Sequence, residues 1–173
     1  MNRATLAAAA AITAALLAGC STTTPKATPS SQAGQPAPAS SKAAADANGA
    51  FAAISAAVPT AKLGATVTAE NDPNHLLGRP GQYTSKITFI DGRIKATDTE
   101  GLQAGDIGYG GSVETFASNA DAKTRHDYIQ TVTKGVPGLA EYDYLHGTTL
   151  IRVSHLLTPE QAADYEKAAT KLP

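Results

Sequence analysis

AEYDYLHGTTLIRVS, residues 140–154, carries the strongest fold signal in the chain. Strand-forming residues alternate with polar residues on both sides of His146-Gly147, a dipeptide suited to a two-residue turn. The register that this turn predicts places Glu141 opposite Arg152 on one face and apolar partners opposite each other on the other face. Because one register satisfies both faces, the segment predicts a β-hairpin of residues 141–145 and 148–154.

The segment after this hairpin predicts a helix at the C-terminus. Thr158 is the expected N-cap, Pro159 is the first helical residue, and Gln161 completes a capping box. Apolar residues then recur at helical spacing and form the predicted packing stripe: Ala162, Tyr165, Ala169 and Leu172.

Periodicity predicts further elements upstream. Residues 46–58 and 119–134 have helical spacing, whereas residues 85–91 and 112–117 alternate as strands do. In the first of these strands, Ile87 and Phe89 are expected on one face. Residues 65–69 form a possible additional strand. The predicted fold class is α+β, with a mostly antiparallel sheet of about four strands and two or three helices packed on it. We expect the helices to cover one face of this sheet. The second helix would direct a stripe inward: Ala122, Arg125, Ile129 and Val132.

The first residues have the features of a signal sequence. Arg3 precedes an apolar run over residues 4–18, and small residues lead to Cys20. This run is shorter than the ~20 apolar residues of a membrane-spanning helix. Leu17-Ala18-Gly19-Cys20 resembles a bacterial lipobox. The resemblance implies a lipoprotein signal peptide over residues 1–19, diacylation of the Cys20 sulfur and cleavage before Cys20.

Residues 20–45 are predicted to be the lipidated cysteine and a disordered linker. After Cys20 the segment contains Ser, Thr, Pro, Ala, Gln and Gly with two lysines, and no aromatic or branched aliphatic residue. Such a composition buries too little apolar surface to offset the entropy of ordering. Residues 46–173 are then the single globular domain, anchored through Cys20 to the extracytoplasmic face of the cell membrane.

Composition limits the classes of partner. The chain has 173 residues and a net charge of −1, and all 15 acidic residues but only 11 of the 14 Lys and Arg lie after residue 45, so the domain carries −4. A nucleic-acid-binding protein needs a basic surface, so we exclude nucleic acid as the main partner. The single Cys excludes an internal disulfide.

Several segments of the domain together resemble a group of small actinobacterial secreted lipoproteins. The resemblance covers most of residues 72–168 and implies a compartment and domain limits, but no catalytic residue. The segments that carry it are residues 71–83, Gly111-Ser112-Val113-Glu114-Thr115-Phe116, Arg125 with Tyr128, and Leu156-Leu157-Thr158-Pro159 with Gln161-Ala162 and Tyr165.

The sequence contains no recognisable catalytic or metal-binding motif. It lacks a Gly-x-Ser-x-Gly elbow, a His-Glu-x-x-His helix and a phosphate-binding loop. The four histidines do not have the spacing of zinc ligands. We therefore predict no catalytic residue, no metal site and no cofactor. The glycine-rich segment 105–111 is interpreted as a flexible turn that leads into a strand rather than a ligand cradle.

The loop of residues 71–83 holds the candidate contact residues. In one interpretation Asp72 and Asn74 form Asx turns, and Tyr83 packs on the core with two leucines. In the other, the loop is a rigid recognition element in which Arg79 contacts an anion or carboxylate. The candidate ligand or partner contacts are therefore Arg79, Tyr83, Asp72 and Asn74.

These features favour a binding protein at the cell surface, with a protein, an envelope component or a small ligand as its partner. An inhibitor-like module that docks loops on an enzyme and a hydrolase with a non-standard site are the alternatives. A binding protein should present an exposed apolar groove with Tyr side chains and Arg79. An enzyme should bring ionisable groups with shifted pKa values into a cleft.

The anchor prediction is tested at Cys20. We expect Cys20→Ala to release the protein from membranes or to block its processing, because stable anchoring needs two or more acyl chains. Fractionation of cells that express the variant measures this. Membrane retention equal to that of the wild type would contradict the lipid anchor.

Overall fold

The computed structural model describes residues 46–173. The predicted signal peptide, Cys20 and the linker lie outside the described residues. The helices and strands within residues 46–173 are α1 (Ala47–Ala57), β1 (Ala61–Thr66), β2 (Tyr83–Asp91), β3 (Gly110–Phe116), α2 (Asn119–Thr133), β4 (Glu141–His146), β5 (Thr149–Ser154) and α3 (Pro159–Ala169). Short 3-10 helices occur at Ala96–Thr99, Ile107–Tyr109 and Pro137–Leu139.

The described strands form one antiparallel sheet in the order β1-β2-β3-β5-β4. The predicted α+β class is therefore confirmed, with five strands where about four were expected. The possible strand at residues 65–69 is β1, which begins earlier, at Ala61, and pairs with β2. β3 lies at the centre of the sheet, so its side chains are buried on both faces.

One face of the sheet carries the larger apolar core. Ile87 and Phe89 of β2, which were predicted to share a face, lie here with Val113 of β3. α1 and α3 cover this face, and the Phe89 ring stacks between the rings of Phe51 and Tyr165 at centroid distances of 5.6 and 5.2 Å. Stacked aromatic pairs of this kind add to the free energy of area burial.

The prediction that the helices cover one face of the sheet is wrong. α2 lies on the opposite face, where Ala122 and Ile129 pack against Leu150 and Phe116 in a smaller core. Successive residues of a strand point to opposite faces of the sheet. Because β3 and β5 bury residues on both faces, a helix is required on each face. Arg125 occupies a position of the predicted inner stripe, and this polar residue faces a polar sheet surface.

The hairpin forms, but its register differs by two residues from the prediction. Gly147 and Thr148 make the turn, and Asp143 rather than Glu141 lies opposite Arg152. Gly147 has a φ of +55°. A type II′ turn takes glycine at its first central position, whereas a turn centred on His146-Gly147 would push His146 toward positive φ. A two-residue change keeps each side chain on its predicted face.

A buried carboxylate joins α3 to the sheet. Asp91, at the end of β2, accepts a hydrogen bond of 2.5 Å from the Tyr165 hydroxyl. It also forms an ion pair of 2.7 Å with Arg93. Arg93 in turn contacts Asp164 of α3 at 3.0 Å. Burial alone would raise the pKa of Asp91, but the hydrogen bonds from Arg93 and Tyr165 outweigh it and lower the pKa.

The glycine-rich segment 105–111 leads into β3 as predicted, but its glycines are closely packed. A Cβ at Gly108 would collide with Leu102, and one at Gly110 would collide with the backbone of β2. At Gly111 it would collide with the Arg152 carbonyl and the Phe89 ring. Gly108 therefore lets the loop before β3 pack closely against Leu102, and Gly110 and Gly111 let β3 lie close to β2 and β5. These three glycines have a packing role rather than a flexible one.

The capping box of α3 forms as predicted. Thr158 Oγ1 accepts a hydrogen bond from the Gln161 backbone N–H at 3.3 Å, and Gln161 Oε1 accepts one from the Thr158 N–H at 2.9 Å. We expect Thr158→Ala to lower the free energy of unfolding by about 1 kcal/mol, measured by urea denaturation. The matched control is Thr131→Ala on the exposed side of α2, where the hydroxyl contacts only the Asp127 carbonyl. Equal losses in both variants would contradict the capping role.

Candidate functional site

A cleft of about 890 Å³ lies on the α2 face of the sheet. α2 forms one wall with Arg125, Tyr128 and Val132, and the loop between β2 and β3 forms another with Leu102 and Ile107. Further lining comes from the 71–82 loop, from the segment before β4 and from the segment after β5. The volume falls within the range of small-molecule sites, roughly 300–1,000 Å³.

Exposed apolar side chains line this cleft. Tyr128, Val132 and Leu139 keep 60%, 42% and 51% of their surface exposed, although each is large and apolar. Val136, which lies between α2 and β4, is also exposed. Exposed large apolar residues that cluster beside a cleft are typical of binding surfaces, whereas scattered ones need no explanation.

The sheet beneath the cleft carries a buried network of charges centred on Glu114. Its carboxylate is fully buried at the middle of β3. Lys86 of β2 contacts it at 3.0 Å, Arg125 of α2 at 3.2 Å and Arg152 of β5 at 3.5 Å. Burial alone would raise the pKa of Glu114, but these three positive charges outweigh burial and lower it. Glu114 is therefore ionised, and it binds two strands and α2 to the central strand.

Arg152 and Glu141 form a second ion pair beside the first. The Arg152 guanidinium donates from Nε and Nη2 to the two carboxylate oxygens of Glu141, both at 2.9 Å. Both residues line the cleft. The sequence predicted this pair as directly opposed on the hairpin, and the contact forms as a diagonal one in the observed register. Burial alone would lower the pKa of Arg152, but the bonds to Glu141 and the charge of Glu114 raise it.

Asp143 has a different environment from the other carboxylates. Gln130 of α2 donates a hydrogen bond of 2.6 Å to its Oδ2, while its buried Oδ1 has no partner within residues 46–173. Burial and the negative charge of Glu141 raise the pKa of Asp143 to about 7. The direction of this shift is opposite to that of Glu114, whose pKa is lowered.

Arg125 reaches from α2 into both the network and the cleft. Its Nε contacts Glu114, and its guanidinium lies over the rings of Tyr128 at 5.7 Å and Tyr83 at 6.0 Å. Within residues 46–173 its Nη1 and Nη2 atoms have no hydrogen-bond partner, although the side chain is only 10% exposed. Arg125 thus presents two unused donors at the cleft wall.

The 71–83 loop holds its four candidate residues in different places. Asp72 and Tyr83 are buried and contact each other, since the Tyr83 hydroxyl donates to the Asp72 carboxylate at 2.7 Å. The backbone N–H groups of Asn74, Leu76 and Leu77 also donate to Asp72. Burial would raise the pKa of Asp72, but the hydrogen bonds from Tyr83 and the backbone lower it to about 2.

Asp72 and Tyr83 thus stabilise the loop from inside. Asn74 lines the cleft. Arg79 is exposed and lines a separate, shallow depression of about 250 Å³ together with Asp72, His75 and Leu77. The structure thus brings Asn74 to the cleft and leaves Arg79 outside it. The contact roles of the four candidate residues stay predictions.

Sequence reasoning missed most of the residues that form the cleft floor. Lys86, Glu114 and Arg152 are charged residues on predicted strands, on the face that was expected to lack a covering helix. Charged side chains are almost never fully buried unless they are paired. The partners lie on separate elements, and only the sheet order places them together.

The cleft has features expected of a binding protein and of an enzyme. An apolar groove with a Tyr side chain is present, and it contains Tyr128 but not Arg79. Ionisable groups with shifted pKa values also meet here, through Glu114 and Asp143. Both are held in hydrogen bonds or ion pairs beneath the surface, and neither is among the residues that line the cleft. Four other ionisable residues do line it: Asp98, Asp106, Glu141 and His155. The expectations of a binding role and of no catalytic residue therefore stay predictions.

Two further properties concern metals and membranes. Across residues 46–173 no group of three or more His, Cys, Asp or Glu side chains is arranged to hold a metal ion. No helix in that range is both long enough and apolar enough to span a membrane.

Comparisons of the chain with protein-family models, with curated proteins and with solved structures found no match. The resemblance to actinobacterial lipoproteins therefore stays a prediction.

The raised pKa of Asp143 predicts how stability depends on pH. A carboxyl whose pKa is higher in the folded than in the unfolded protein makes a pH-dependent contribution to the free energy of unfolding. This contribution is fully present below about pH 4 and is lost as the pH rises toward 7. We expect Asp143→Asn to be more stable than the wild type at pH 8, and the difference to shrink as the pH falls to 4. The amide can still accept from Gln130 and donate to Glu141, so the fold is retained.

Urea denaturation at pH 4, 6 and 8 measures this difference. Asp98→Asn is the matched control, because Asp98 is an exposed carboxylate outside the network. A difference between Asp143→Asn and the wild type that does not change with pH would contradict the assignment.

Proposed function

We propose that this chain is a lipid-anchored cell-envelope protein that binds a small amphiphilic ligand in the cleft beside α2. The observation that carries the proposal is the combination of an apolar cleft wall with a charged floor. Tyr128, Val132 and Leu139 offer apolar surface, and Arg125 and Arg152 offer polar groups close to it. Ligand sites in proteins are mostly apolar with a few placed polar groups.

The proposed location is the extracytoplasmic face of the cell membrane, with the lipid anchor at Cys20. The signal sequence and the lipobox resemblance support it. Amphiphilic molecules are concentrated at a membrane surface, so a domain tethered there meets them at high local concentration. The anchor and the cleft therefore suit the same ligand class.

The second candidate is an inhibitor-like module that docks on another protein. The 71–83 loop favours it, because Asp72 holds the loop with four hydrogen-bond donors while Arg79 remains exposed. A rigid loop loses little conformational entropy on docking. In this candidate Arg79, and not the cleft, would make the contact.

Binding in the cleft is tested with N-phenyl-1-naphthylamine, a neutral probe whose fluorescence rises in apolar surroundings. We expect the full chain carrying Cys20→Ala, which has no acyl groups, to bind this probe. Val132→Asp in that background should weaken binding roughly tenfold, because a carboxylate in the apolar wall must be desolvated.

The control is Leu63→Asp on the edge strand β1, where Leu63 is 51% exposed outside the cleft. It adds the same charge to an exposed apolar position and should leave the affinity unchanged. Equal affinities for the probe in both variants, or no binding to the parent chain, would overturn the proposed function.

A further inference from the structure

The chemistry of the ligand's head group can be inferred from the charges at the cleft floor, on the premise that the cleft binds an amphiphile as proposed. Three cations, Lys86, Arg125 and Arg152, face three carboxyl groups, Glu114, Glu141 and Asp143. The basic and acidic groups are equal in number. Recognition of a head group therefore depends on which charged side chain keeps unpaired hydrogen-bonding atoms at the cleft.

Among the described residues of this network, Arg125 lines the cleft and keeps guanidinium nitrogens that have no hydrogen-bond partner. Lys86 is 6% exposed and contacts Glu114, while Arg152 uses Nε, Nη1 and Nη2 on Glu114 and Glu141. Arg125 uses Nε alone within the described range, which leaves Nη1 and Nη2 as a parallel pair of donors. A guanidinium edge of this kind matches the two oxygens of a carboxylate.

The tail of the ligand would lie along α2. Tyr128 and Val132 follow Arg125 at helical spacing on the same wall, and this stripe spans two turns, roughly 11 Å. Leu139 continues it beyond the helix, and Leu102, Ile107 and Leu156 line other parts of the cleft. A linear apolar chain that starts at Arg125 therefore meets apolar side chains along its length.

Acidic residues also reach the cleft, so the sign of the head group needs a direct test. Asp98 and Asp106 line the loop wall, and both are exposed. Solvent screens exposed charges much more strongly than buried ones. His155 also lines the cleft. The buried guanidinium of Arg125 is thus the strongest local determinant of ligand charge.

We propose that the cleft binds a long-chain carboxylic acid, with the carboxylate on Nη1 and Nη2 of Arg125 and the alkyl chain along Tyr128, Val132 and Leu139. The ligand class is a single-chain anionic amphiphile. Arg125 would be a binding residue in direct contact with the head group, and the apolar stripe would select for chain length.

The test uses dodecanoate, dodecanol and dodecyltrimethylammonium, which share a tail and differ in head group, together with acetate, which lacks the tail. Displacement of N-phenyl-1-naphthylamine from the full chain carrying Cys20→Ala is measured below micellar concentrations. We expect dodecanoate to bind at least about tenfold more tightly than dodecanol, since hydrogen bonds to a charged group are the stronger ones. Dodecyltrimethylammonium and acetate should not displace the probe.

Two variants locate the head group. Arg125→Gln should remove the preference for dodecanoate over dodecanol, while dodecanol still binds. Arg125→Lys keeps the charge beside Glu114 but loses the planar donor pair, so it should show an intermediate preference and a melting curve close to that of the wild type. Arg79→Gln is the matched control outside the cleft and should keep the full preference.

Each outcome bears on a distinct claim. Equal binding of dodecanoate and dodecanol, or tighter binding of dodecyltrimethylammonium, would overturn the carboxylate proposal and leave the cleft as an amphiphile site. Loss of the preference in Arg79→Gln but not in Arg125→Gln would also overturn it. Failure of every long-chain probe to bind would overturn the proposed function itself.

Discussion

The carboxylate of Glu114 is the constraint on which the rest of the α2 face depends. It lies at the middle of the central strand, fully buried, and charged partners reach it from β2, α2 and β5. Removing one partner from a buried charge network costs about 3–5 kcal/mol, because it leaves another charge unpaired. The position of α2 is therefore tied to the reach of one Arg side chain. The polar floor of the cleft is a by-product of this requirement.

The two faces of the sheet differ in the kind of residue that they bury. The α1 and α3 face is apolar, with Phe89 stacked between Phe51 and Tyr165, and it supplies most of the buried apolar surface. The α2 face has a smaller apolar core and carries Lys86, Glu114 and Arg152. Stability is concentrated on the first face, so the second can carry an open cleft and buried charges.

Features set by short-range chemistry were predictable from the sequence. The capping box at Thr158 and Gln161 and the alternation of Ile87 and Phe89 depend only on neighbouring residues, and both formed as expected. The hairpin was predicted but its register was not, because the choice depended on which turn position Gly147 takes. The side of the sheet on which α2 packs depends on strand order, which periodicity does not encode.

In the candidate site, too, features set by neighbouring residues were predictable, whereas features set by strand order were not. Asp72 and Tyr83 were singled out because they stand among turn formers, and that pattern indicated a stabilised loop, which is the role their mutual hydrogen bond gives them. The cleft is built from residues of α2, β4, β5 and the connecting loops that are far apart along the chain. None of these residues belongs to a local sequence pattern that indicates a binding site. Only the sheet order makes them neighbours, so no local pattern could have identified them.

The small number of buried residues in α2 affects where the domain unfolds locally. Only Ala122 and Ile129 of this helix are buried, whereas α1 and α3 each bury four residues. Elements with few buried apolar contacts unfold locally at a lower free energy than the rest of a domain. The backbone amides of α2 would therefore exchange hydrogen with solvent before those of β3 or α3. This wall of the cleft is therefore less firmly held than α1 and α3, and a ligand bound as proposed would slow the exchange by holding α2 against the sheet.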